Sequence, residues 1–380
     1  HLGLSLQFYI TCEKVLIMSA YKAPVQEFSF ILEELVGYES HSQRPGYEDV
    51  GMDMLDAVLP EAAKFFEQVI APTNAIADSQ GTHIENGEVV TAPVLDGLSD
   101  QLVEGGWNGL SGDTAYGGSG FPGVVDLAVQ EMLQSANMGL SLLPMLTRGV
   151  IHALQLYGSN EQKETYLTNL ISGSWSGTMN LTEPQAGSDL SAVQCKAVPN
   201  GDHYLVSGQK IYITWGEHQQ TDNIIHLVLA RLPDAPAGNQ GISLFLVPKF
   251  LVDSDGSLGE RNDLRAVGVE HKLGIHCSPT CTMAYGDNNR SCMIRLPQNR
   301  FCIENRAADM CMNPYLSLAL TTASALDGIK NKIDPGDPLN INLYTLSPEE
   351  MKKANIKSLP RNLLEAIEAL NEDDFAREVL

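Results

Sequence analysis

Apolar positions recur at helical spacing through the first part of the chain. Residues 52–71 set Leu55, Val58, Leu59, Ala62, Phe66 and Val69 on one stripe, the mark of a helix with one face turned to a core. Residues 92–105 repeat the pattern with Val94, Leu98 and Leu102, and residues 124–138 with Val125, Val129, Met132 and Ala136. Ser159, with Gln162 three residues on, predicts a capping box opening a helix that runs to about Ser172. Gly158 suits the stop of a helix before it. The first 172 residues therefore read as a helical domain.

After Trp175 the period falls to two. Strands are expected at 177–182, 193–198, 203–214, 223–231, 241–248 and 280–285, separated by turn clusters such as Pro199-Asn200-Gly201-Asp202 and Pro233-Asp234-Ala235-Pro236-Ala237-Gly238. A compact β domain follows. Further on, Asn313 suits a cap and Pro314 the first turn of a helix. Its stripe is Leu316, Leu320, Ala323, Leu326 and Ile333, and Asp334-Pro335-Gly336 ends it.

At 380 residues, 43% hydrophobic and 19% charged, the chain has the make-up of a soluble protein of two or three domains. The net charge of −23 argues against nucleic acid as a partner and against an anionic membrane. The charge is uneven: residues 289–380 hold 11 Lys/Arg and 13 Asp/Glu, a net −2, and the preceding residues hold the other −21. The shift suggests that two different proteins meet near residue 288. Seven scattered cysteines fit a reduced, cytoplasmic setting. Cys277 and Cys281 stand near His271 and His276, but without a paired CxxC they read as structural. The apolar first residues lack a basic lead and a clear cleavage site. Met18 is the expected natural start, with 1–17 an extension. No apolar run reaches membrane-spanning length.

Two segments carry the chemistry. Thr182-Glu183-Pro184-Gln185-Ala186-Gly187-Ser188-Asp189 suits a tight turn where backbone comes close to a ligand. Gln209-Lys210-Ile211-Tyr212-Ile213-Thr214 is a strand that puts Tyr212 and Thr214 on one face. An aromatic plate with donors beside it makes a cradle for a flat ring. These segments resemble the acyl-CoA dehydrogenase family. So do Trp107-Asn108-Gly109-Leu110, Tyr116-Gly117-Gly118-Ser119-Gly120, Gly158-Ser159-Asn160-Glu161-Gln162-Lys163 and Lys272-Leu273-Gly274-Ile275. The resemblance covers roughly residues 20–288.

It implies a multi-domain α+β protein: an N-terminal all-α domain at 19–173 after an unassigned 1–18, then a central β-barrel domain at 174–288. It implies an oxidoreductase that dehydrogenates an acyl-CoA thioester between its α and β carbons with FAD. It implies that Met179, Leu181, Thr182, Gly187, Ser188, Tyr212, Ile213 and Thr214 line the cofactor. Thr182 would meet the polar edge of the ring, Tyr212 would pack on it and Thr214 would bond near its N5. Ser188 would also lie beside the acyl-CoA substrate. Members of the family take the catalytic glutamate, the homo-oligomer contacts and a cross-subunit FAD grip from a third, helical domain. Nothing after residue 288 resembles it, so no catalytic base is named and the chain is expected to be truncated and inactive.

From Asn289 the sequence resembles the C-terminal part of type I glutamine synthetase instead, in Asn289-Arg290-Ser291-Cys292-Met293-Ile294-Arg295-Leu296-Pro297, Arg306-Ala307-Ala308-Asp309 and Asn342-Leu343-Tyr344. The fragment 289–380 is expected to be mostly helical with a short strand pair. By resemblance Glu304 is a metal ligand, Arg306 grips the substrate carboxylate and Arg290 meets ATP phosphates. Mg2+ or Mn2+ and ATP would bind only if this tail were functional. Two partial enzymes joined without a Gly/Ser/Pro-rich linker form a chimera. The alternatives are a glutamine synthetase-like ligase or a non-catalytic chimera. Gly118-Ser119-Gly120-Phe121-Pro122-Gly123 spells a dinucleotide fingerprint but follows no apolar strand.

Overall fold

The structure, a computed structural model, describes residues 20–44, 47, 49–85, 88–253, 256–286, 294–295, 304–305, 314–334, 348–353, 356 and 363–379. The chain divides into two units, His1–Ala284 and Tyr285–Leu380.

The first unit opens with helices α1 (Val25–Phe30), α2 (Tyr38–Ser42), α3 (Met52–Phe65) and α4 (Asn74–Gln80). A hairpin of β1 (His83–Glu85) and β2 (Glu88–Val90) follows, then α5 (Leu98–Glu104), α6 (Gly123–Ala136), α7 (Met138–Tyr157) and α8 (Asn160–Ser172). The stripes read from the sequence are the buried faces: Leu55, Leu59, Ala62 and Phe66 meet Leu102, Val125, Val129 and Met132 in one core. The helix expected over 52–71 is α-helical to Phe65, then widens through a π turn at Phe66–Ile70.

The capping box forms. Gln162 N–H donates to Ser159 Oγ at 3.2 Å and Ser159 N–H to Gln162 Oε1 at 2.9 Å. Gly158 does end α7, but with extended backbone rather than the left-handed turn a helix stop favours. A side chain there would stand 2.6 Å from the Leu154 carbonyl oxygen, so close approach is what requires glycine.

The β part holds β3 (Trp175–Asn180), β4 (Lys196–Asn200), β5 (His203–Thr214), β6 (Asn223–Arg231), β7 (Ile242–Pro248), β8 (Phe250–Val252), β9 (Leu258–Arg261), β10 (Leu264–Glu270) and β11 (Thr280–Tyr285). Seven of these form a curled sheet, in the order β10-β11-β5-β4-β6-β3 with β7 on β6. β3 runs parallel to β6 from Trp175 opposite Asn223, and β6 runs antiparallel to β7 from Arg231 opposite Ile242. The β1–β2 and β8–β9 hairpins and β10 were not among the expected strands.

Helix α7 joins the two layers. Gly177 on β3 lets it come close, since a side chain there would lie 2.6 Å from Val150. Gly177 N–H donates to Thr147 Oγ1 at 3.0 Å, and Trp215 Nε1 donates to the Gly139 carbonyl at 3.0 Å.

The second unit has the short pair β12 (Ile294–Arg295) and β13 (Glu304–Asn305), then α9 (Pro314–Asn331), α10 (Pro348–Lys353), α11 (Leu363–Glu372) and α12 (Asp374–Val379). Among its described residues it is mostly helical with one short strand pair, as expected. The stripe read along α9 is not a buried face: Leu316, Leu326 and, just past its end, Ile333 are exposed. No described helix is long and apolar enough to cross a membrane.

Candidate functional site

The expected turn is present. Glu183 and Ala186 exchange backbone hydrogen bonds of 2.8 and 3.0 Å around Pro184-Gln185, which places proline where a β-turn prefers it. Asp189 accepts from Ser191 N–H at 2.9 Å and closes the next turn. Gly187 and Ser188 lie exposed on the surface. A methyl group added at Gly187 would meet nothing within 4 Å, so a ligand has room to approach the backbone there.

This turn sits against the end of β5. Ile211 N–H donates to the Thr182 carbonyl at 2.9 Å, and Thr178 Oγ1 to the Thr214 carbonyl at 2.7 Å. Met179, at the end of β3, and Thr182 are half-buried, Leu181 is exposed, Ile213 is buried and Thr214 is half-buried. Thus Met179, Leu181, Thr182, Tyr212, Ile213 and Thr214 are gathered where β3 and β5 meet, with Gly187 and Ser188 on the adjoining turn.

Tyr212 stands out. Its φ is +60°, a left-handed backbone two residues before the end of β5, and such strain in a residue with a Cβ costs about 1–3 kcal/mol. The ring stays 52% exposed. The Lys272 ammonium stands 5.9 Å from the ring centre. Among the described residues, Thr182 N–H, Thr182 Oγ1 and Thr214 Oγ1 have no protein hydrogen-bond partner. A half-exposed aromatic face with free donors beside it fits a flat ring with a polar rim.

Behind the edge lies a polar core that the sequence reading did not assign. Lys210 and Glu183 form an ion pair of 2.8 Å with side chains 0% and 3% exposed. Burial pushes the Glu183 carboxyl up, but Lys210, the Gln194 N–H and the Cys195 side chain outweigh it, so its pKa lies below the usual carboxylate value. Held this way, Glu183 is no proton acceptor for a ligand.

A second cluster joins Glu217 to Lys249 and to Arg261, the latter at 2.8 Å. Beside it His218 Nδ1 accepts from Gln220 N–H at 3.1 Å, so the neutral ring carries its proton on Nε2 and donates to Ser176 Oγ at 3.1 Å. The histidine therefore cannot activate that serine as a nucleophile.

Burial pushes the Cys195 and Cys281 thiols up to about 12 and Cys277 to about 11. All three are buried free thiols. His271 stacks edge-on against His276 at 4.4 Å, and no group of three or more potential ligands among the described residues is arranged to hold a metal. A cavity of about 350 Å3 at the seam of α5 with residues 219–222 includes none of the expected site residues.

In the tail, β13 sets Glu304 opposite Arg295. Arg290 and Arg306 lie outside the described residues.

The family pattern "Acyl-CoA dehydrogenase, N-terminal domain" matches residues 53–174, and "Acyl-CoA dehydrogenase, middle domain" matches 178–287. "Glutamine synthetase, catalytic domain" matches 272–380, so two matches overlap at 272–287. The chain is 48% identical over 266 residues to 3-methylmercaptopropionyl-CoA dehydrogenase of Ruegeria pomeroyi, spanning 70% of this chain and 45% of that protein. It is 44% identical over 101 residues to glutamine synthetase of Methanosarcina mazei, 26% of this chain and 23% of that one. The crystal structure of an acyl-CoA dehydrogenase complexed with FAD from Bacillus anthracis is similar at 24% identity and TM-score 0.49, over 63% of this chain and 36% of that one. The chain thus spans less than half the length of these relatives. Residues 53–287 belong to the acyl-CoA dehydrogenase family, through its N-terminal and middle domains, and the chain continues into a segment of the glutamine synthetase catalytic domain.

Proposed function

We propose that the first unit is the flavin-binding part of an FAD-dependent acyl-CoA dehydrogenase. The observation that carries the reading is the strained, half-exposed Tyr212 beside the free donors of Thr182 and Thr214. Bound there, FAD would supply the hydride acceptor for oxidation of an acyl-CoA between its α and β carbons. Tyr212 packs on the ring, Thr182 donates to its polar rim and Thr214 donates near N5. Met179, Leu181 and Ile213 wall the ring, and Gly187 admits it close to the backbone. Ser188 lies beside the acyl-CoA, near its phosphopantetheine arm. The domain limits are those read from the sequence, 19–173 and 174–288, followed by the fragment 289–380.

No residue of this chain is assigned as the base. Glu183, the carboxylate beside Thr182, is buried and ion-paired, and a missing positioned base costs about 10²–10⁴-fold in rate. We therefore propose flavin binding with negligible dehydrogenation by this chain alone. Glu304, Arg290 and Arg306 take part in a metal–ATP–glutamate site only where the rest of a glutamine synthetase fold stands around them, so this chain is assigned no ligase activity.

The test is reconstitution of the full chain with excess FAD, followed by gel filtration and visible absorbance. Co-migrating yellow absorbance near one flavin per chain is expected. A folded, colourless protein sinks the reading.

A further inference from the structure

The Lys210–Glu183 pair touches none of the expected ligand atoms, yet it organises the groups that do. Lys210 Nζ donates to Glu183 Oε1 at 2.8 Å and to the Leu181 carbonyl at 3.0 Å. Glu183 Oε1 also accepts from Cys195 N–H at 3.0 Å, and Oε2 accepts from Gln194 N–H at 2.7 Å and from the Gln185 side-chain amide. The carboxylate is thus filled by four donors from three places in the chain.

Each partner also sits next to a candidate ligand residue. Glu183 follows Thr182, and Lys210 lies two residues before Tyr212. With the Leu181 carbonyl held by Lys210 and the Thr182 carbonyl by Ile211 N–H, both carbonyls are turned into the protein. The N–H and hydroxyl of Thr182 remain without protein partners.

Stability alone is a poor reason for such a pair. Burying two charges costs about as much as their attraction returns, and apolar residues of similar size often serve as well. What apolar residues cannot do is grip a carbonyl and a carboxylate at once and so fix where the next donor points.

We propose that Lys210 and Glu183 are positioning residues: the pair fixes the Leu181–Thr182 backbone against β5 so that Thr182 meets the ring packed on Tyr212. This rests on the flavin reading above.

The experiment uses the full chain and the variants Lys210→Met, Glu183→Gln, Lys210→Arg and the exchange Glu183→Lys with Lys210→Glu. FAD affinity is measured by flavin fluorescence quenching, together with the absorbance band of the bound flavin. Denaturant unfolding gives the folded fraction of each protein. Binding is read only where that fraction is nearly complete.

Lys210→Met is expected to weaken FAD binding about tenfold or more and to shift the flavin band, beyond anything the folded fraction explains. Lys210→Arg keeps donors for both partners and should recover most of the affinity. The exchange is the discriminating variant. It restores opposite charges and much of the stability, but a glutamate at position 210 cannot donate to the Leu181 carbonyl. FAD binding should therefore stay weak.

If wild type binds FAD and a folded Lys210→Met, or the exchange, binds it equally well with the same spectrum, the positioning role is overturned. Should Lys210→Met not fold, the near-isosteric Glu183→Gln decides the question by the same readouts. A wild-type chain that binds no FAD overturns the flavin reading, a distinct result.

Discussion

At Tyr212 the backbone is left-handed near the end of β5, and the ring it turns outward is left half-exposed. Strain of this kind persists where neighbouring structure enforces it, and here the neighbours are the ladder of β5 and the buried Lys210. Replacing Tyr212 with alanine removes the plate without opening a core cavity. FAD binding should weaken by about three- to tenfold, the scale of one aromatic pair, while the unfolding midpoint changes little. Titration with FAD and thermal unfolding of the same sample check both.

Gly187→Ala is sharper. Nothing lies within 4 Å of the added methyl group, so stability should hold. A ring approaching that backbone meets the methyl group instead, and affinity should fall about tenfold. Unchanged affinity would remove Gly187 from the site. The aromatic, glycine and hydroxyl residues were legible in the sequence because their types announce contact with a flat ligand. The roles of Lys210 and Glu183 were not. A lysine and a glutamate 27 positions apart read as solvated charges until the fold buries both.

Among elements, α8 was readable to its first residue because a capping box is local chemistry, two bonds within four residues. Ser159→Ala should cost about 1 kcal/mol of stability, read as a lower denaturant midpoint with unchanged FAD affinity. Strands β5, β6 and β11 begin and end where the sequence predicts, because alternation or continuous apolar content marks them. Helix α7 gave no stripe to read. It packs among helices on one side and on β3 on the other, so Leu140, Leu143, Val150, Ile151 and Leu154 are buried around much of its girth. Strands β8 and β9 are too short for an alternation to show, and in β10 half-buried Arg265 and Gly268 break the apolar run, so partners across the sheet decide pairing and local pattern does not. In α9 the helix forms where the spacing places it, but pattern alone does not say what covers a face.

For the molecule as a whole, pH exposes what the sheet has buried. His218 and His226 are fully enclosed by it. Desolvation holds His218 well below the ordinary histidine value, and desolvation with the Lys249 and Arg261 charges lowers His226 to about 3. An unfolded chain takes up protons on both near pH 6.5, whereas the folded chain refuses them. Below pH 6.5 the unfolded state therefore binds more protons, and stability falls as pH falls. The contribution is complete above about pH 6.5 and is lost progressively toward the folded values. Each histidine adds up to about 1.4 kcal/mol per pH unit within that window. Glu183, whose folded pKa is lowered, adds to the loss at the acid end. Denaturant unfolding of the full chain between pH 7.5 and 4.5 should show stability dropping with a slope of one to two protons. In His226→Asn the slope should flatten by about one proton, whatever the variant does to stability at pH 7. The slope counts protons and not contacts, so an unchanged slope in His226→Asn would mean that His226 is already charged in the folded protein. That would contradict its enclosure beside Asn180, where its Nδ1 lies 3.4 Å from the side-chain oxygen.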